Sequence, residues 1–139
     1  MNGNDFVKML LKSPLHGLVG NTMLVIVTGR RTGRRIEVPV NYYCEADTLW
    51  VSTRRSRNWW RNIGPRAEIG LRLNGKQVQA CAETILDPSE VAAHILEYVR
   101  HLPMAARALG VRLASGVSDP GDAARAAQDR LFVKVTLLP

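Results

Sequence analysis

Apolar and polar positions follow two different periods along this chain, and the switches between them mark its elements. Thr22 to Thr28 (TMLVIVT) is an unbroken apolar run with β-branched residues, the pattern of a strand buried on both faces. From Arg35 to Cys44 the period is two, with Ile36, Val38, Val40 and Tyr42 on one face of a second strand. Glu45-Ala46-Asp47 makes a tight connection into a third strand, Thr48 to Thr53, so this part reads as an antiparallel meander. Ala67 to Leu73 and Lys76 to Ile85 predict two more strands joined by Asn74-Gly75, a strong hairpin signal, and Leu131 to Leu138 predicts a last one.

Helical spacing occupies the rest. Asn4 to Lys12 predicts a short amphipathic helix with Phe6, Val7, Leu10 and Leu11 on one side, ended by Ser13-Pro14. Ser56 to Ile63 predicts a short helix stopped by Gly64-Pro65. Asp87-Pro88-Ser89-Glu90 starts a longer helix: Asp87 caps it, Pro88 fits its first position and Glu90 completes a capping box. Its apolar stripe is Val91, Ile95, Val99 and Leu102, and Leu102-Pro103 ends it. Met104 to Leu113 adds a helical turn or two, Ala114 to Gly121 a loop, and Asp119-Pro120 caps a short polar helix through Gln128.

No internal repeat and no linker interrupts these elements. They predict one domain over residues 1–139, mainly β with flanking helices (α+β), its six strands at about 22–85 and 131–138 and a helical insert at about 88–128. Six antiparallel strands with helices outside close most simply into a small barrel, which removes the sheet edges.

Composition narrows the class. The 139 residues are 46% apolar and 22% charged, which excludes a disordered or fibrous chain. The longest apolar run, Met23 to Val27, is too short for a transmembrane segment, and the N-terminus lacks a signal-peptide pattern, so a cytoplasmic protein is expected. Cys44 and Cys81 stand apart from any metal spacing and read as small apolar side chains on strands. His16, His94 and His101 likewise form no metal spacing, and no metal is expected. Charge carries more. The net charge is +7, fifteen of the nineteen basic residues are Arg, and ten of those lie between Arg30 and Arg72. A local Arg excess calls for an anionic partner: a nucleic acid, an anionic cofactor or an acidic membrane surface.

Two features carry candidate chemistry. Gly29-Arg30-Arg31-Thr32-Gly33-Arg34-Arg35 joins two strands; its glycines allow positive φ, its amides can form an anion-binding nest, and its side chains add charge and a hydroxyl. A solvated basic hairpin is the plain alternative. The second feature is the stretch from Ser52 to Asn62, with hydroxyls and guanidiniums first and Trp59-Trp60 after them. Adjacent tryptophans on a helix point apart, so at most one is expected in the core. No GxSxG, Walker motif or paired carboxylates argue for hydrolysis.

These features together resemble the deazaflavin-dependent nitroreductase family, a branch of the flavin-binding split β-barrels. The resemblance rests on the apolar strand Leu24 to Val27, TGRRTG at Thr28 to Gly33, Pro39, Thr53-Arg54, W-x-x-N at Trp59 and Asn62, the pattern at Gly64 to Glu68, and the closing strand. The loop between Arg54 and Trp59 departs from the family pattern through Arg55, Arg57 and Asn58, and Leu86 to Asp129 has no counterpart in it. The resemblance implies a six-stranded antiparallel split β-barrel of the flavin-reductase/FMN-binding type, dimeric, holding coenzyme F420 (a deazaflavin) or, alternatively, FMN. It implies that the turn with Arg30, Arg31, Thr32, Gly33 and Arg34, and the loop at Thr53-Arg54, meet the cofactor phosphate, with Pro39 and Ser52 also in the cofactor site. Trp59 and Asn62 then lie near its ring or side chain, and Asn41, Tyr42 and Tyr43 are candidates to orient a small-molecule substrate or supply a proton. The function implied is hydride transfer between F420 or FMN and a quinone, nitro compound or activated alkene. Two other readings stay open: a non-catalytic flavin-type cofactor binder, and a basic nucleic-acid-binding barrel using Trp59 and Trp60 as stacking platforms. The arginines sit in two loops and the strands carry no exposed aromatic ladder, so no nucleic acid is expected as partner.

Overall fold

A computed structural model describes residues 22–73, 76–114 and 117–138. The expected N-terminal helix at 4–12 and the Asn74-Gly75 turn lie outside the described residues. In chain order the elements are β1 (Thr22–Thr28), β2 (Arg35–Glu45), β3 (Thr48–Arg54), a 3-10 turn (Trp59–Asn62), β4 (Arg66–Leu73) and β5 (Lys76–Ile85). Then follow α1 (Pro88–His101), a 3-10 turn (Pro103–Ala105), α2 (Ala106–Leu109), β6 (Leu113–Ala114), β7 (Val117–Ser118), α3 (Pro120–Ala126) and β8 (Arg130–Leu137).

Six of the strands form a closed antiparallel barrel in the order β1-β2-β3-β8-β5-β4. The expected meander holds through β1, β2 and β3 and then fails. After β3 the chain crosses to the far side, where β4 pairs with β1, and β8 fills the gap between β3 and β5. The burial of β8 suits that place: Leu131, Phe132, Val133 and Val135 are all fully covered, as a strand flanked and packed on both faces requires.

Alternation sorts these side chains to two sides of the barrel wall. Val25, Val40, Tyr42, Leu49, Val51, Leu71, Ala80, Val133 and their neighbours fill the interior. On the outside, Tyr43 of β2 and Phe132 of β8 pack against Val91, Ile95, Tyr98 and Val99 of α1. The helix starts where Asp87 accepts a hydrogen bond from the Glu90 amide at 3.2 Å. It stops before Pro103, as the sequence predicts.

Two helical expectations need correction. The short helix expected at 56–63 is a four-residue 3-10 turn, and both of its tryptophans are buried, at 6% and 8% exposure. Successive residues of a 3-10 turn point about 120° apart; with Ile63, both indoles join the interior cluster. The helix after Asp119-Pro120 is not polar all round, because Asp122 and Ala123 on it, and Ala127 just after it, are buried. The loop expected at 114–121 contains the ladder between β6 and β7. Arg112, just before it, ties that segment to α3 by donating from its amide and its Nε to the Asp122 carboxylate, at 3.0 and 2.8 Å. These bonds hold the buried Asp122 carboxyl far below the usual carboxylate range.

Candidate functional site

A cavity of about 590 Å³ lies against the outer wall of the barrel, under the helical insert. The barrel supplies Pro39 and Asn41 from β2, Ser52, Thr53 and Arg54 from the end of β3, and Arg130 from the start of β8. Arg57 and Trp59, from the segment after β3, line it too. The insert supplies Tyr98, Leu102, Met104 and Leu109. The lining therefore combines apolar and aromatic side chains, Val38 and Val40 of β2 among them, with three guanidiniums and short polar side chains.

Of the residues singled out in the sequence, the fold brings Pro39, Asn41, Ser52, Thr53, Arg54 and Trp59 to this cavity. Asn41 accepts a hydrogen bond from the Thr22 hydroxyl at 3.0 Å. Trp59 Nε1 donates to Thr53 Oγ1 at 3.2 Å, which fixes the indole beside the end of β3. Asn62 is outside the lining. Its Oδ1 accepts from the Arg30 amide at 3.0 Å, and its Nδ2 donates to the Trp59 carbonyl at 3.1 Å. W-x-x-N thus works as a clamp that joins the arginine turn to the tryptophan turn.

The tyrosine expectations are corrected. Tyr42 points into the barrel, where burial pushes its phenol up to about 12, and Tyr43 lies under α1 with its hydroxyl donating to Glu45 at 3.2 Å. Neither lines the cavity. Tyr98 does, and burial raises its phenol to about 12, so it stays protonated at neutral pH. Tyr98 recurs seven residues after Val91, in step with the helical stripe, and that spacing was the signal for it.

The turn at 29–34 also differs from expectation. Gly33 adopts a φ of 70°, but Gly29 does not take positive φ. A Cβ at Gly29 would lie 3.0 Å from Thr32 Oγ1, so close approach is what calls for glycine there. The turn's amides are largely engaged within the protein: Gly29 donates to Arg34 O, Gly33 to Gly29 O, Arg34 to Thr32 Oγ1 and Arg30 to Asn62. Its capacity for an anion rests on the exposed Arg30, Arg31 and Arg34 side chains. None of the residues 30–34 lines the cavity.

Other arginines have structural partners. Arg55 donates to the carbonyls of Leu86 and Ala127, strapping two loops together, and Arg61 lies 4.5 Å above the Trp60 ring. Both tryptophans being buried, neither is a stacking platform on the outer surface, and of the two only Trp59 borders the cavity. On the other surface, Glu45 comes within reach of Glu97 and His101 of α1, with ligand atoms inside 4.8 Å of one another, a grouping that spacing in the sequence does not reveal. Arg100 and Tyr43 already engage those carboxylates, each at 3.2 Å. Among the described residues no helix is long and apolar enough to cross a membrane.

No family model matches the sequence, and the search of curated proteins finds no match. Solved structures do match. The flavocytochrome Anf3 from Azotobacter vinelandii superposes with a TM-score of 0.62 at 14% identity, over 96% of this chain and 63% of that one. The chain thus spans less than two thirds of the flavocytochrome's length. The FAD and heme binding protein from Mycobacterium smegmatis gives 0.61 at 10% identity, over 99% and 68%. A candidate pyridoxamine 5'-phosphate oxidase from Listeria innocua gives 0.55 at 8% identity, over 99% and 95%. At these identities the likeness is one of fold, and the fold is the six-stranded split β-barrel that the sequence predicts.

Proposed function

We propose that this chain binds a flavin-type cofactor in the cavity and serves as an oxidoreductase, passing hydride between coenzyme F420 and a small organic acceptor such as a quinone, nitro compound or activated alkene. FMN is the alternative cofactor. The observation that carries the reading is the cavity itself: about 590 Å³, lined by apolar and aromatic side chains together with three guanidiniums. That volume lies in the range of small-ligand sites, and the mixture in its lining suits a flat ring joined to an anionic chain. The buried Ser52 hydroxyl adds a test of fit, since it has no hydrogen-bond partner among the described residues and lies in the cavity lining.

Pro39, Trp59 and Leu102 are placed to face a ring, while Arg54 and Arg57 meet its anionic groups. The bound ring supplies the hydride chemistry. The protein orients it, excludes water with Leu102 and Leu109, and offers the protonated Tyr98 hydroxyl as a donor in the cavity wall. Arg30, Arg31 and Arg34 extend the positive charge beyond the cavity for outer anionic groups. The same reading has the chain act as a homodimer, with Met104, 84% exposed beside the cavity, covered by a second copy.

A side-by-side spectral titration with F420 and FMN tests this. Saturable perturbation of the deazaflavin spectrum, followed by turnover of a quinone or nitro acceptor with the reduced cofactor, is the expected result. An unchanged spectrum with both cofactors overturns it. Sedimentation at micromolar concentration should show a dimer.

A further inference from the structure

Glu45 ends β2, two residues after Tyr43, so strand alternation puts both on the side of the barrel wall that faces α1. Glu97 and His101 lie four residues apart at the end of α1 and share one helix face. The fold brings the three side chains together, with an oxygen of each acid and a ring nitrogen of His101 within 4.8 Å of one another. His101 Nε2 is 3.5 Å from Glu97 Oε2. The imidazole is stacked on the Tyr43 ring, with centroids 4.7 Å apart and planes 13° from parallel. The Tyr43 hydroxyl donates to Glu45 Oε2 at 3.2 Å, so one buried ring orients two of the three groups. The contacts of Tyr43, Arg100 and His101 all fall on Oε2 of the acids, and Oε1 of each lies outside them. Two carboxylates this close repel each other. Arg100 pairs with Glu97, and Glu45 belongs to none of the ion pairs among the described residues.

We propose that Glu45, Glu97 and His101 bind a divalent first-row transition metal, of the kind of zinc, on the outer surface of the barrel. Two carboxylates and one imidazole are a mixed oxygen–nitrogen donor set, which zinc accepts and magnesium, an oxygen-seeking ion, does not favour. Ligand atoms about 2.0–2.2 Å from zinc stand about 3.3–3.6 Å apart in a tetrahedron, so the three must draw closer. Glu45 and His101 are exposed and Glu97 is half-exposed, so rotation of the acid side chains closes the gap with the imidazole kept on Tyr43. A fourth position is left for water. The ion would tie the end of β2 to the end of α1, from which Tyr98 and Leu102 reach the cavity. The site is separate from the cavity and does not depend on the cofactor reading. Spacing along the chain predicts no metal, because Glu45 meets the helix only in the folded protein.

Calorimetric titration with zinc chloride of the full chain, stripped with a chelator and dialysed, tests the site. One zinc per chain should bind saturably, and zinc should raise Tm by several degrees where equimolar magnesium does not. Glu45→Gln, Glu97→Gln and His101→Gln should each lower zinc affinity by about 10- to 100-fold, no less than loss of a ligand's hydrogen-bond partner costs. His94→Gln, on the same helix with its ring against Trp50, should leave the affinity in place. The Tm of each variant in magnesium checks its fold. Where a variant fails that check, modification of the wild type by diethyl pyrocarbonate, mapped by mass spectrometry, takes its place: zinc should protect His101 and not His94. Absence of saturable binding overturns the proposal. So does an affinity that survives any of the three glutamine variants or falls as far in His94→Gln, and so does equal modification of His101 with and without zinc.

Discussion

The molecule has two arginine-bearing regions, and they differ in what confines the charge. In the turn at 29–34 the side chains of Arg30, Arg31 and Arg34 are exposed, while most of the amides are bonded within the protein. At the cavity, Arg54 and Arg130 are set opposite each other by strand register, and Arg130 is half-buried and tied to α2. The turn is the denser cluster in sequence, but at the cavity one guanidinium, that of Arg130, is held in place by burial and a hydrogen bond. Density along a chain finds candidates; register and burial decide which of them act together.

Trp59 and Asn62 connect the two regions, so breaking that link should give the largest effect. Trp59→Ala removes a buried indole and its bond to Thr53. Substitutions of this kind cost about 3–5 kcal/mol, and equilibrium denaturation should register a loss of that size. A loss below about 1 kcal/mol would show that the tryptophan turn does not hold the wall of the cavity.

The barrel strands were legible because each carries a strong local pattern, and the Asp87 cap because its chemistry is complete within four residues. What stayed hidden depends on non-local placement. Arg130 has no distinguishing neighbours in the sequence and gains its meaning only when β8 inserts beside β3. The insert looked unrelated to the site, yet Tyr98, Leu102 and Leu109 form one wall of it. Trp60 was hard to place because the helical rule for adjacent residues does not describe a 3-10 turn that packs on the core.

Alkaline pH probes the buried tyrosines. Burial raises Tyr42, inside the barrel, and Tyr98, in the cavity wall, to about 12 from the model-compound value of 10. Each holds its proton more tightly folded than unfolded, so stability is flat below pH 10 and falls as pH rises from about 10 toward 12. Denaturation midpoints at pH 9 and 11 should therefore drop in the wild type and drop less in Tyr98→Phe. An equal drop in that variant would place the alkaline loss elsewhere than in the cavity wall.

A smaller loss is expected from Asn62→Ala, which leaves the Arg30 amide and the Trp59 carbonyl without these partners. Each orphaned group costs about 1–3 kcal/mol when buried and less at an exposed turn, so a total of about 1–2 kcal/mol is expected in denaturation. Cofactor affinity should fall in the same variant, because the arginine turn is no longer held to the tryptophan turn. Full stability and full affinity together would show that the two regions are independent.

The smallest effect belongs to the turn itself, and it decides which region carries the phosphate. Arg31 and Arg34 are exposed, and an exposed guanidinium–carboxylate contact contributes about 0.2–1 kcal/mol. FMN ends at its phosphate, whereas the deazaflavin continues into a lactyl group and carboxylates that can reach outward. Arg31→Ala combined with Arg34→Ala should therefore lower deazaflavin affinity by roughly two- to thirtyfold at low salt, the sum of two such contacts. FMN affinity should hardly move. Screening acts over about 8 Å at physiological ionic strength and about 3 Å at 1 M, so the deazaflavin loss should shrink as salt rises. Calorimetric titration of both cofactors at low and high salt measures all four values. If the variant loses FMN as heavily as the deazaflavin, and does so at every salt concentration, the phosphate sits on the turn and the roles of the two regions are reversed.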